Sequence, residues 1–164
     1  MKTLRVLVVV LMCCLSASCS RAPQPTPLFD GFMSYSSWMQ IKSHPKLVGH
    51  KWDILQRPES SSSDSRPRMH YRLVQTGNYL YMGFKGYLKF SFYNDHLMSI
   101  EFEPQDSGGY AKIQTHLEQE LKTNMLVHRD YDLGAANVRH NNHFFTWSDK
   151  SLIAKMQEWI AQNS

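Results

Sequence analysis

Apolar and polar residues alternate most regularly between positions 87 and 103. Leu88, Phe90 and Phe92 alternate with Tyr87, Lys89, Ser91 and Tyr93; beyond Asn94-Asp95-His96, the residues Met98, Ile100 and Phe102 alternate with Leu97, Ser99, Glu101 and Glu103. A period of two sends successive side chains to opposite faces of a strand, so the segment predicts a β-hairpin. A two-residue turn at Asn94-Asp95 sets Phe90 opposite Ser99 and Lys89 opposite Ile100, mixing apolar and polar rows. A three-residue loop through His96 instead sets Phe92 against Met98, Phe90 against Ile100 and Leu88 against Phe102, with Lys89 facing Glu101 on the outer side. That loop predicts a positive φ at His96.

Two helical patterns flank the remaining C-terminal sequence. Tyr110, Ile113, Leu117 and Leu121 mark an apolar stripe over 108–122, with Asp106 or Ser107 as cap. Leu152, Ile153, Met156, Trp159 and Ile160 mark another over 150–161, with Ser148 or Asp149 as cap. A short helix is expected over 36–43, stopped by Pro45. Further strands are expected at 51–56, with Trp52 and Ile54 on one face, and at 69–76. Others are expected at 79–84, interrupted by Gly83 and Gly86, at 126–130 and at 143–147. The fold class is therefore α+β: a mostly antiparallel sheet with the two C-terminal-half helices packed on one face.

Two segments depart from this patterning. Pro23, Pro25 and Pro27 favour polyproline II over 20–30, which reads as a stalk. Residues 57–67 contain Ser60 to Ser63 and two prolines with almost no apolar content, which reads as a mobile loop inside the domain. The organisation expected is residues 1–18 as a signal segment, 19–30 as anchor and stalk, and 31–164 as a single α+β domain.

Residues 1–18 read as a basic n-region with Lys2 and Arg5, an apolar run from Val6 to Leu15, and small residues Ser16, Ala17 and Ser18. This is the pattern of a secretory signal. The apolar run is shorter than the roughly 20 residues that a spanning helix needs. Over 164 residues, the chain is 42% hydrophobic and 12% aromatic, enough for a packed core. Its net charge is +4, and removing 1–18 takes away Lys2 and Arg5, leaving +2. No dense Lys/Arg stripe is present, which argues against a nucleic-acid partner.

The three cysteines are Cys13, Cys14 and Cys19, so nothing after position 19 can form a disulfide. The stretch Leu15-Ser16-Ala17-Ser18-Cys19 resembles the bacterial lipoprotein signal. That resemblance implies cleavage before Cys19, lipid attachment to Cys19, and, with Ser20 rather than Asp following, sorting to the outer membrane with the domain facing the periplasm. Ser16-x-Ser18 also suits ordinary signal peptidase, which cuts the same bond and leaves a soluble periplasmic protein. The order helix, strands, hairpin, helix is similar to that of small α+β outer-membrane lipoproteins of the barrel-assembly and β-lactamase-inhibitor-like type. Those bind other proteins, and no binding residue carries over from them.

Constellations for chemistry are weak. His128-Arg129-Asp130 resembles a kinase catalytic loop, but the position that needs a metal-holding Asn is Ala135. His140 and His143 have a metal-ligand spacing without the third ligand that zinc requires, and a pair of polar loop histidines is the simpler reading. No Gly-x-Ser-x-Gly elbow exists. Glu101 and Glu103 lie about 7 Å apart on one strand face, and Lys89 opposite accounts for their charge. Tyr87, Lys89 and Tyr93 share the outer face of the hairpin and are the candidate binding residues, because tyrosine offers large contact area at low entropy cost. No catalytic set, metal or cofactor is expected. The reading is a membrane-anchored, non-enzymatic binding or envelope-assembly module. Two alternatives stand beside it: an immunity or inhibitor lipoprotein, and an envelope hydrolase using His128, His140 or His143.

The signal reading fixes a mass. The mature protein is expected to begin at Cys19 and to exceed the mass of chain 19–164 by a diacylglyceryl group and an amide-linked acyl chain. A mature N-terminus at Cys19 with the bare chain mass selects the soluble alternative.

Overall fold

The computed structural model describes residues 23–56, 69–122, 129–141 and 143–163. The signal segment, Cys19, the loop at 57–67, His128 and most of the strand expected at 126–130 lie outside the described residues. Seven strands form one sheet: β1 (Trp52–Gln56), β2 (Tyr71–Tyr81), β3 (Phe84–Tyr93), β4 (His96–Pro104), β5 (Asp130–Leu133), β6 (Ala136–His140) and β7 (Phe145–Asp149). Their order is β1-β2-β3-β4-β7-β6-β5, and every neighbouring pair is antiparallel. Among the described residues three α-helices, α1 (Trp38–Lys42), α2 (Ser107–Leu121) and α3 (Lys150–Asn163), and a 3-10 turn (Pro45–Leu47) accompany it. The α+β class with an antiparallel sheet is as expected. So are the α2 cap, where Asp106 accepts from the Gly109 amide, and the Asp149 carboxylate at the start of α3, which accepts from the Leu152 amide.

The central hairpin differs from expectation at its turn and agrees along its stem. Lys89 faces Glu101, Phe90 faces Ile100 and Leu88 faces Phe102. However, Tyr93 pairs with His96 and Phe92 with Leu97, and the register shifts between Ser91 and Phe92. The turn is therefore the two residues Asn94 and Asp95, with φ of 49° and 62°, and His96 is not among the positive-φ residues. Met98 is the extra residue of a bulge on β4. The bulge restores the phase that a two-residue turn alone would lose: Leu97 joins Ile100 and Phe102 in one core while Met98 joins another.

The same two-residue device recurs. Met82 (φ 52°) and Gly83 (φ 84°) join β2 to β3, so residues 79–81 extend β2 and are not a separate strand. Gly86 does not interrupt β3. It lies against Phe102, where an added Cβ would come within 2.4 Å of the ring and 2.6 Å of the Glu103 carbonyl oxygen. Gly134 (φ 78°) turns β5 into β6, a hairpin of two short strands that was not among the expected elements.

Both faces of the sheet are covered, by different elements. Leu88, Phe90, Phe92, Ile100 and Phe102 pack with Ile113 and Leu117 of α2, Ile41 of α1, and Phe145 and Trp147 of β7. Tyr93 and Met98 pack with Leu152 of α3, flanked by Ile153, Met156 and Trp159. Phe92 and Tyr93 are consecutive strand residues and so point to opposite faces. The expectation of both C-terminal-half helices on one face is met only in part: α2 takes the larger core and α3 the other side. Part of the segment expected as a stalk packs into the domain. Leu28 and Phe29 are buried in the larger core, Pro27 bridges Met33, and Asp30-Gly31 form a turn with φ of 47° and 89°. Burying Phe29 is worth about 2 kcal/mol.

The contact at Gly86 yields a prediction. Gly86→Ala forces the Phe102 ring and the β4 backbone apart and is expected to cost about 2–3 kcal/mol. Denaturant unfolding should show a lowered midpoint with an unchanged slope. An unchanged midpoint would refute the close approach.

Candidate functional site

The three residues singled out on the hairpin do not form one open surface. Tyr87 is 39% exposed and lies over Gly77, where an added Cβ would sit 3.2 Å from its ring. Lys89 spans Glu101 at 2.6 Å and Glu103 at 3.2 Å, with its ammonium 5.9 Å from the Phe144 ring centre. Burial pulls the Lys89 pKa down, but the bonds and charges of the two carboxylates outweigh it, and the net shift is upward. Tyr93 is only 7% exposed, packed with Met98 and Leu152. Strand alternation does put all three on one face, but α3 covers its Tyr93 end and leaves Tyr87 and the Lys89 cluster outside.

The histidines are also separated in role. His140 is buried, its Nδ1 lies 2.8 Å from the Tyr110 hydroxyl, and its ring stacks with Tyr131 and Phe145. His143 is exposed in a turn held by Asn141, whose side-chain oxygen accepts from the His143 and Phe144 amides. Asp130 is held by Arg139 at 2.6 Å across the β5–β6 hairpin, and Asp132 by Lys150 at 2.5 Å. Among the described residues no group of three His, Cys, Asp or Glu side chains is placed to hold a metal.

The most connected polar cluster was not among the expected sites. It begins at the Asp30-Gly31 turn. The Tyr79 hydroxyl donates to Asp30 Oδ2, and Lys46 Nζ donates to Asp30 Oδ1 at 2.6 Å and to its carbonyl at 2.8 Å. His44 packs on the Phe32 ring at 4.5 Å; burial, then the Lys46 charge, lower its pKa against the opposing pull of Asp30. His50 Nδ1 lies 3.2 Å from both Thr76 Oγ1 and the Gly77 carbonyl. Beside them is an open depression of about 520 Å³, which Leu80 and Met82 also line. Burial first, then the bond to Asp30, its charge and that of Tyr81, hold the Tyr79 phenol protonated well above its ordinary range. A phenol so held is a fixed donor, and both oxygens of the Asp30 carboxylate are engaged, one by Tyr79 and one by Lys46. The cluster ties the N-terminal turn to β2 and is not arranged for proton transfer. The sequence signal for it was the Asp-Gly pair directly after Leu28-Phe29, a strong turn dipeptide beside apolar residues.

Compared with models of protein families, with curated proteins and with solved structures, the chain matches none.

The Tyr79 bond is testable at high pH. The folded pKa lies above the unfolded value near 10, so the stabilisation is complete below pH 10 and is lost as pH rises further. Spectrophotometric titration of the tyrosines should leave at least one phenol un-ionised until the fold opens. Tyr79→Phe should remove that phenol and cost about 2 kcal/mol, as expected for a hydrogen bond to a charged group. Ordinary titration of every tyrosine in the folded protein contradicts the assignment.

Proposed function

We propose that the protein is a lipid-anchored lipoprotein of the bacterial envelope, held on the periplasmic side of the outer membrane through Cys19, and that it acts by binding an envelope protein. The observation that carries this reading is Leu15-Ser16-Ala17-Ser18-Cys19 at the end of a short apolar signal, ahead of a well-packed domain with no further cysteine. The charged groups weighed for chemistry support binding over catalysis. Lys89 is shared by Glu101 and Glu103, Asp30 by Tyr79 and Lys46, Asp130 is held by Arg139, and Asp132 by Lys150. Groups engaged in this way stabilise the fold and offer little to a substrate.

The inhibitor or immunity reading has one observation in its favour. Leu80 and Met82, at the tip joining β2 to β3, are 62% and 44% exposed. Met82 adopts a left-handed backbone that costs a branched or long side chain about 1–2 kcal/mol relative to glycine. An exposed methionine held at that cost, outside the core, fits a hairpin tip that enters a partner's apolar cleft.

Cell fractionation tests the anchor. The native chain is expected in the outer-membrane fraction, whereas Cys19→Ala, still cleavable after the small residues Ser16 and Ser18, is expected in the soluble periplasm. Recovery of the native chain in the soluble fraction, or turnover of a wall or ester substrate by domain 20–164, contradicts the reading.

A further inference from the structure

We propose that one end of the sheet, made of the β5–β6 turn and the first turn of α3, lies against the headgroups of the membrane that holds the Cys19 lipid. This rests on the lipoprotein reading above and goes further by naming the surface that meets the bilayer. Its basis is the position of Pro23. Pro23, Gln24 and Thr26 line a groove with Ala135, Lys150 and Ser151. The position is fixed by paired bonds: the Thr26 amide donates to Ser34 Oγ at 2.8 Å, and the Ser34 amide donates to the Thr26 carbonyl at 2.8 Å.

Four peptide links separate Pro23 from Cys19, and even fully extended they span no more than about 14 Å. A lipidated Cys19 lies at the headgroup level, a layer roughly 5–8 Å deep on each side of the hydrocarbon. A free stalk over 20–30 would have added about 34 Å of reach in polyproline II. The burial of Leu28 and Phe29 removes most of that reach and ties the domain by the end from which Pro23 leaves. The β2–β3 tip lies at the other end of the strands. Ser99 of β4 pairs with both Ser91 of β3 and Ser148 of β7, next to the start of α3, while Phe84 opens β3 beside the tip. The seven steps from Phe84 to Ser91 span about 23 Å, beyond what the tether spans.

The chemistry of the near end suits a phosphate-bearing surface. Asp132 is paired with Lys150 and bonded by the Gly134 amide, and Asp149 is buried and bonded by the Leu152 amide, so neither stands as an exposed, unpaired carboxylate toward the headgroups. Leu133 is 42% exposed on the turn, a side chain for the interfacial layer. The orientation turns Leu80 and Met82 away from the bilayer, toward a partner in the periplasm.

Amide hydrogen exchange, read by mass spectrometry, tests this. The mature lipidated protein in vesicles of phosphatidylethanolamine and phosphatidylglycerol is compared with the soluble Cys19→Ala form. Exchange at 133–135 and 150–153 is expected to slow several-fold on vesicles, and exchange at 81–84 to stay unchanged. Equal exchange in the two forms, or slowing at 81–84 alone, overturns the orientation. The intact mass of the first form reports the lipid separately, so a chain without lipid removes the anchor reading itself, and with it this proposal.

Discussion

The pairing of β3 with β4 is the constraint on which the rest of the molecule depends. It aligns Leu88, Phe90 and Phe92 with Phe102, Ile100 and Leu97, all fully buried. The N-terminal turn, α1, α2 and β7 pack on that block. Because the side-chain period is two, a slip of one residue would turn the row outward. Two features hold the register: the Lys89–Glu101 and Lys89–Glu103 pairs on the other face, and the bulge at Met98. The bulge also determines that both faces are apolar near the Asn94-Asp95 turn, by sending Leu97 to one side and Met98 to the other. That is why α3 has a place to dock.

Much of this was legible in the residues, for reasons that also explain what was not. The stem register could be read because only one alignment puts Lys89 opposite Glu101 and phenylalanine opposite isoleucine. The turn could not, because a three-residue loop and a two-residue turn followed by a one-residue bulge consume the same number of residues and leave the same stem. Asn94 and Asp95 both tolerate a left-handed backbone, and that chemistry was the discriminating signal. The stripes of α2 and α3 were visible, but not the face each would take, since a stripe carries no information about which side of a sheet receives it. Leu28 and Phe29 were obscured by the prolines around them, although Asp30-Gly31 marked the turn. The β5–β6 hairpin was missed although Tyr131, Leu133, Ala136 and Val138 alternate with Asp130, Asp132, Asn137 and Arg139, because each run is only four or five residues long.

The same features shape the functional account. Tyr93 was a reasonable interface candidate on strand pattern and became core because α3 covers it. Tyr87 and the Lys89 cluster remain on the uncovered part of that face. The Asp30–Tyr79–Lys46 cluster fastens the N-terminal turn to β2, and thereby fixes where the chain leaves toward Cys19. In the proposed lipoprotein, a stability element would thus set the reach of the tether, and with it the end of the sheet proposed to lie near the bilayer.

The central claim, a domain anchored at one end and binding at the other, is tested most directly in living cells by a photo-crosslinking amino acid at Leu80 of the full chain. The account predicts a discrete adduct with an envelope protein from that position. Absence of any protein adduct at Leu80, in a chain that is still lipidated and on the membrane, would contradict it.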